Sequence, residues 1–181
     1  VSVYASRIKA GRFLAMDSAV DADLVVGVPE SGNAAALGYS LQSGIPYGTA
    51  FVKNGYVGRT FIKPKQSSRE SSVRVKLNVL KEAVNGKRII MIDDSIVRGT
   101  QLRETTEYLF DSGAREVHIR PACPPLVYGC KYLNFSRSSS EMDLITRRVI
   151  ERLENGNVTD EVLQEYTDPD AEKDEKMVDE I

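Results

Sequence analysis

Cysteine, histidine and long apolar runs are all scarce in this sequence, and each shortage excludes a class of protein. Two cysteines, Cys123 and Cys130, are too few for a disulfide scaffold and predict a reducing, cytoplasmic setting. No apolar run approaches the ~18 residues that a membrane-spanning helix needs, and the start of the chain shows no signal-peptide pattern. The single histidine, His118, lies in a predicted interior strand, so we expect it to be structural.

The chain has 181 residues, which are enough for one domain with a core. Charge is distributed unevenly along it. The net charge is −2, yet residues 53–76 hold seven basic side chains and one acid. Residues 160–181 hold ten acids and two lysines. A basic stretch is often only a solvated surface, but this one also fits a loop that binds a polyanionic ligand. We expect the acidic tail to be solvated or incompletely packed.

Strand and helix patterns alternate through most of the chain. Apolar runs predict strands over residues 24–29, 47–52, 88–92 and 116–121. Helical spacing predicts helices over residues 4–16, 33–44, 73–84, 101–113 and 141–156. This order predicts an α/β fold with a parallel sheet and helices on its faces. Ligands in such folds bind beyond the carboxyl ends of the strands.

Two adjacent acids, Asp93 and Asp94, stand at the carboxyl end of a predicted strand in the stretch RIIMIDDSIVRGTQ. The loop SIVRGT then offers backbone N–H groups, two hydroxyl groups and a helix start, which suit a phosphate dianion. Gly99 allows the positive φ or close approach that such a loop needs. A sugar's hydroxyl groups could donate to the acids, and Mg²⁺ prefers such oxygen ligands. The alternative is an ordinary Asx-capped turn, but the whole arrangement favours a phosphorylated sugar.

These residues resemble a known family. The phosphoribosyl pyrophosphate (PRPP) binding motif of type I phosphoribosyltransferases is similar to IIMIDDSIVRGTQ. The amidophosphoribosyltransferase family of purine synthesis is similar to this motif together with VPESGNAAALGYSLQSGIPY and VKNGYVGRTFIKP. The resemblance runs from about Ser2 to about Phe135 and implies the parallel-sheet type I phosphoribosyltransferase fold. We expect that domain over residues 1–156 and an acidic C-terminal segment over residues 157–181.

The resemblance implies a role for each residue of these motifs. Asp93 and Asp94 would contact the ribose hydroxyls and, with Ser31, hold Mg²⁺. The loop that would bind the 5-phosphate consists of Ser95, Ile96, Val97, Arg98, Gly99 and Thr100. The loop that would bind the pyrophosphate consists of Pro29, Glu30, Ser31 and Gly32. The basic side chains implied in catalysis are Lys53, Arg59 and Lys76.

The implied reaction joins ammonia to C1 of PRPP with inversion and releases pyrophosphate. The three basic side chains and Mg²⁺ would stabilise the negative charge on the leaving pyrophosphate. The basic residues between 53 and 76 would form a loop that closes over PRPP and excludes water. Ammonia is already a nucleophile, so the reaction needs no strong general base, in agreement with a single histidine.

Family members also have an N-terminal glutaminase domain that releases ammonia from glutamine, and nothing in this sequence resembles it. We therefore expect a chain that uses free ammonia and assembles into homo-oligomers, with purine nucleotides as candidate inhibitors. Some members hold a 4Fe–4S cluster, and Cys130 falls near one of their ligand positions. A cluster usually takes four thiolates, so we expect none in this chain and place Cys123 in the core.

Two alternatives stay open. Another type I phosphoribosyltransferase would act on a nucleobase or orotate and would need a hood for a planar base, of which the sequence shows no clear sign. A non-catalytic PRPP- or nucleotide-sensing module would keep the fold, but the intact acid pair and GRTF stretch argue against it. Nucleic-acid binding is not favoured, because the basic residues cluster on one glycine-bearing loop with only Tyr56 and Phe61 among them.

Overall fold

The computed structural model describes residues 1–55, 77–132 and 140–181. The chain divides into two compact units. The first comprises Val1–Asp94 and Gln101–Cys123, and the second comprises Ser95–Thr100 and Pro124–Ile181. The predicted domain boundary at residue 156 does not coincide with the division between these two units and stays a prediction.

Strands and helices alternate through most of the first unit, and the regular elements that the structure describes in the second are helices. The strands are β1 (Leu24–Gly27), β2 (Phe51–Lys53), β3 (Leu77–Val79), β4 (Arg88–Asp93) and β5 (Glu116–Pro121). The helices are α1 (Val3–Asp17), α2 (Gly32–Ser43), α3 (Lys81–Val84), α4 (Thr100–Asp111), α5 (Ile145–Leu153), α6 (Asp160–Glu165) and α7 (Glu172–Asp179), with a 3₁₀ helix at Glu141–Asp143. The predicted α/β class is confirmed.

A parallel three-stranded sheet, in the order β1–β4–β5, forms the centre of the first unit. In its register Val25 lies beside Ile90, and Ile90 lies beside His118. A separate antiparallel pair joins β2 to β3. Because the three central strands are parallel, their carboxyl ends share one edge of the sheet, where ligands bind in folds of this kind. Asp93 ends β4 at that edge.

Helices cover both faces of the parallel sheet, as predicted. On one face Ile90 and Ile92 pack with the buried side chains of α1 and α2. On the other face Ile89 and Met91 pack with Leu109 of α4 and with residues of β2 and β3. These four residues of β4 are fully buried, which explains why the strand is a continuous apolar run rather than an alternating one.

Two glycines allow α1 and α2 to approach closely. A Cβ atom at Gly11 would collide with the carbonyl oxygen of Ala35, and one at Gly38 would collide with that of Ile8. Both obstacles are backbone atoms, which cannot rotate away as a side chain can. The small residues of these helices therefore fix the layer that covers this face of the sheet.

The second unit has its own apolar core, and this corrects the expectation of a solvated acidic tail. Leu163 of α6, Tyr166 directly after α6 and Met177 of α7 are buried together with Val149 and Ile150 of α5. The acids of the tail lie mainly on the outer surface, while the apolar residues between them face the core. The apolar residues of the tail recur at regular positions within short helices, and this spacing indicates a packed core that the count of charged residues does not show.

The predicted helix over residues 73–84 is wrong at Leu77–Val79 and confirmed at Lys81–Val84. Residues 73–76 lie outside the described residues, Leu77–Val79 is β3, and only Lys81–Val84 is helical. Leu77 is buried and pairs with Lys53, so its place beside β2 determines its conformation. The predicted strand over 47–52 is shifted, because β2 covers Phe51–Lys53.

His118 does not lie in an interior strand within the described part of the chain. There β5 pairs only with β4, and all six of its residues are partly exposed. The Nε2 atom of His118 lies 3.5 Å from the Glu116 carboxylate. None of the helices in the described ranges is both long enough and apolar enough to cross a membrane.

Candidate active site

The adjacent acids lie at the carboxyl end of β4, whose four central residues are buried. Asp93 is the last residue of β4, and the backbone N–H of Asp94 donates to its Oδ1 at 2.8 Å. The chain beyond β5 fixes both residues, because Ala122 N–H donates to the Asp93 carbonyl at 2.8 Å and Cys123 N–H to the Asp94 carbonyl at 3.0 Å. The main chain of the acid pair is therefore held by β4, which ends at Asp93, and by backbone hydrogen bonds from the residues that follow β5.

Asp93 has an unusual acidity. Burial raises its pKa from the ordinary value of 3.8 to about 6, the Asp94 N–H acts in the opposite direction, and the Asp94 charge adds to the rise. Because burial disfavours the ionised form of this carboxyl group, a nearby cation or hydroxyl donor would stabilise that form. Asp93 is therefore a partly buried carboxyl group at the ligand edge of the sheet, where a cation or a hydrogen-bond donor could bind it.

The loop Pro29–Gly32, between β1 and α2, meets the end of β4. A Cβ atom at Gly32 would collide with the Ile92 carbonyl and would lie 3.3 Å from Cα of Asp93. The Pro29–Glu30 peptide bond is cis. Ser31 precedes α2, and its side chain makes no capping hydrogen bond to that helix. The predicted pyrophosphate loop therefore lies beside the backbone that carries the acids.

Lys53, the last residue of β2, forms an ion pair with Glu30 at 3.2 Å. Both side chains are largely exposed, so the pair contributes little to stability. The contact nevertheless brings one predicted catalytic cation to the predicted pyrophosphate loop. Arg59 and Lys76, the other two predicted cations, lie outside the described residues, and their roles stay predictions.

The predicted 5-phosphate loop, Ser95–Thr100, belongs to the second unit and follows Asp94 directly in the chain. Gly99 has φ +75°, a conformation that favours glycine, as the sequence predicted. Ile145 N–H donates to the Val97 carbonyl at 2.9 Å, and Arg148 donates to the Arg98 carbonyl at 2.7 Å. No sequence pattern indicated Ile145 or Arg148, because both lie more than forty residues away from the loop along the chain.

Cys123 contributes its backbone N–H to the acid pair, and neither cysteine is buried. Cys123 is exposed, which corrects its predicted place in the core, and Cys130 is partly exposed. Two thiols do not fit the donor set of an iron–sulfur cluster. Within the described ranges, no group of three or more His, Cys, Asp or Glu side chains is arranged to hold a metal ion.

Comparison with known proteins gives one consistent answer. No protein-family model matches the chain. The amidophosphoribosyltransferase of Mycobacterium tuberculosis is 53% identical over 131 residues, which are 72% of this chain and 25% of that protein. Amidophosphoribosyltransferases of Archaeoglobus fulgidus and Bacillus subtilis are 46% and 48% identical over 84% and 73% of this chain. The chain spans about a quarter to a third of the length of these relatives.

Two solved structures share the fold. One is described as the allosteric regulatory enzyme of purine biosynthesis, with 41% identity and a TM-score of 0.71 over 90% of this chain and 36% of that chain. The other is a glutamine PRPP amidotransferase from B. subtilis in complex with ADP and GMP, with 40% identity and a TM-score of 0.69 over 94% of this chain and 35% of that chain.

The parallel sheet and its strand-end loops define a phosphoribosyltransferase fold. Within that class, the chain is homologous to the amidophosphoribosyltransferases and matches their phosphoribosyltransferase region. The resemblance that the sequence motifs indicated is confirmed.

Proposed function

We propose that this chain binds PRPP and transfers its phosphoribosyl group to ammonia, forming 5-phosphoribosylamine and pyrophosphate in the first step of purine (IMP) biosynthesis in the cytoplasm. The observation that carries the proposal is the acid pair Asp93–Asp94. It stands at the end of a strand whose four central residues are fully buried, and a hydroxyl- and glycine-containing loop follows it directly. Homology to enzymes named for this activity supports the same assignment.

The charges of PRPP match the proposed binding residues. The acids would accept hydrogen bonds from the ribose hydroxyls, and Ser95–Thr100 would bind the 5-phosphate through N–H and hydroxyl donors. The loop Pro29–Gly32 would bind the pyrophosphate, with Lys53 exchanging its partner Glu30 for a phosphate oxygen. Each anionic group of the substrate then meets donors or a cation.

The donor set also fits Mg²⁺. Asp93 and Asp94 offer carboxylate oxygens and Ser31 a hydroxyl, and Mg²⁺ typically takes one or two carboxylates together with substrate phosphates and water. The raised pKa of Asp93, caused by burial, means that a nearby cation would stabilise its ionised form. When bound, the ion supplies charge neutralisation to the pyrophosphate.

The proposed chemistry needs electrostatic stabilisation rather than a strong base. The bond from C1 to the pyrophosphate oxygen breaks with its electron pair on that oxygen. Ammonia forms the new bond to C1 and loses a proton to solvent. Lys53, with Arg59 and Lys76, would stabilise the charge that grows on the departing oxygen. Ammonia would come from solution for this chain, or from the glutamine-using part of the longer relatives.

Further partners follow from the relatives. One solved relative is described in complex with ADP and GMP, so we include purine nucleotides as candidate inhibitors of this chain. A homo-oligomer also remains part of the proposal.

The test is pyrophosphate release from PRPP and Mg²⁺ with ammonium, with glutamine, and with neither. We expect release that depends on ammonium and that glutamine cannot replace. Release without any nitrogen donor would indicate simple hydrolysis. No release with ammonium, while PRPP still binds, would contradict the enzymatic assignment and favour the sensing module.

A further inference from the structure

Two residues outside the recognised motifs contact the loop Ser95–Thr100, which we call the phosphate loop. Ile145 N–H donates to the Val97 carbonyl at 2.9 Å, and the Arg148 guanidinium donates to the Arg98 carbonyl at 2.7 Å. These are successive carbonyl groups at the middle of the loop. We propose that Ile145 and Arg148 are positioning residues that set the phosphate loop in its anion-binding conformation. The inference rests on the proposed function, because it assumes that this loop binds a phosphate.

The geometry of the peptide bond explains how such contacts could act. In a planar trans peptide, the carbonyl of one residue and the N–H of the next point in opposite directions. Anchoring the Val97 carbonyl towards α5 therefore directs the Arg98 N–H away from that helix. Anchoring the Arg98 carbonyl does the same for the N–H of Gly99. Two neighbouring donors are thus held in a fixed direction, as an oxyanion requires.

Two further contacts hold the same part of the loop. The Arg98 side chain lies 3.9 Å from the Asp143 carboxylate, at the end of the 3₁₀ helix that precedes α5. Gly99 lies against the side chain of Ile145, where an added Cβ would come within 2.5 Å of Cδ1. The segment from 143 to 148 thus contacts three consecutive loop residues. It lies beyond Phe135, where the motif resemblance ends.

Arg148 is the residue to test, because its contact uses a side chain that can be replaced. A hydrogen bond from a charged donor is stronger than one from a neutral donor, but Arg148 is exposed, which weakens it by solvent screening. We expect Arg148→Met to weaken ribose 5-phosphate binding roughly five- to tenfold. Ribose 5-phosphate carries the group that the phosphate loop would bind and lacks the pyrophosphate.

The control ligand is pyrophosphate with Mg²⁺, which has no 5-phosphate, and the control variant is Arg152→Met. Arg152 lies on the same helix, is exposed, and pairs with Glu180 rather than with the loop. Calorimetric titration should show that Arg148→Met weakens ribose 5-phosphate binding and leaves pyrophosphate binding unchanged. Arg152→Met should change neither, and Arg148→Lys should recover part of the lost affinity.

Four outcomes would overturn the inference. Arg148→Met could bind ribose 5-phosphate as the wild type does, which would show that the contact does not position the loop. It could lose both ligands equally, which would indicate a general structural defect, and a thermal melt would reveal the same defect. If the wild-type chain binds PRPP but not ribose 5-phosphate, the role of the phosphate loop is refuted and the proposed function is not. A wild-type chain that binds neither would refute the proposed function as well.

Discussion

The two motifs proposed to bind PRPP are held in place by different forces. The acid pair continues β4, whose residues Ile89–Ile92 are fully buried between two apolar layers. The phosphate loop is held by backbone and guanidinium hydrogen bonds and by one exposed ion pair, Arg98–Asp143. The apolar contacts of β4 are shielded from solvent, whereas the Arg98–Asp143 pair is solvent-exposed and contributes little to stability.

This difference suggests a division of tasks. The acids occupy a position fixed by the core, which suits groups that must meet a cation and ribose hydroxyls with little freedom. The loop depends on a few replaceable contacts, so its donors can be adjusted by changes in the second unit without disturbing the sheet.

Asp94→Asn should have the largest effect, on activity rather than on folding. The change keeps the shape of the side chain and removes its negative charge, so Mg²⁺ and ribose binding should fail. We expect ammonium-dependent pyrophosphate release to fall by at least about a hundredfold, the range seen when a preorganised electrostatic group is lost. Far-ultraviolet circular dichroism should be unchanged. Asp17→Asn, at an exposed position at the end of α1, is the matched control, and full activity of Asp94→Asn would refute the assigned role.

Gly32→Ala and Gly99→Ala should lower the unfolding free energy by different amounts, because Gly32 contacts the buried strand and Gly99 lies in the phosphate loop. At Gly32 a new Cβ collides with the Ile92 carbonyl, a backbone atom of the buried strand, so we expect a loss of roughly 1–3 kcal/mol in unfolding free energy. At Gly99 the nearest atom is the end of the Ile145 side chain, which can rotate. The cost there comes from the positive φ and should be about 1 kcal/mol. Chemical denaturation measures both losses, and a larger loss for Gly99→Ala than for Gly32→Ala would contradict the comparison.

Asp93→Asn should stabilise the ligand-free chain in a pH-dependent way. The folded-state pKa of Asp93 is raised by burial to about 6 from 3.8, so its ionisation opposes folding increasingly as pH rises through that interval. Below about pH 4 the carboxyl is neutral in both states and the substitution should have little effect. Above about pH 6 the variant should be more stable by roughly 1–3 kcal/mol. A stability difference that is the same at both pH values would show that burial does not control this group.

The sequence was sufficient where a local pattern determined the structure. The apolar run before Asp93 predicted β4, and Gly99 predicted the left-handed turn, because each depends on residues that are adjacent in the chain. The helix over residues 73–84 was misassigned, although Leu77, Asn78 and Val79 alternate as a strand does, because pairing with β2 decided their conformation. The contact between Arg98 and Arg148 joins residues 50 positions apart, and no local pattern encodes it.

The most direct test of the account is PRPP binding by the wild-type chain, measured by titration calorimetry with Mg²⁺ and again with the metal chelated. If the acids at the end of β4 hold a metal-bound phosphoribosyl group, PRPP should bind in the presence of Mg²⁺ and lose most of its affinity when the ion is removed. Equal binding under both conditions would show that Asp93 and Asp94 do not act through a cation. No binding under either would contradict the assignment of PRPP itself.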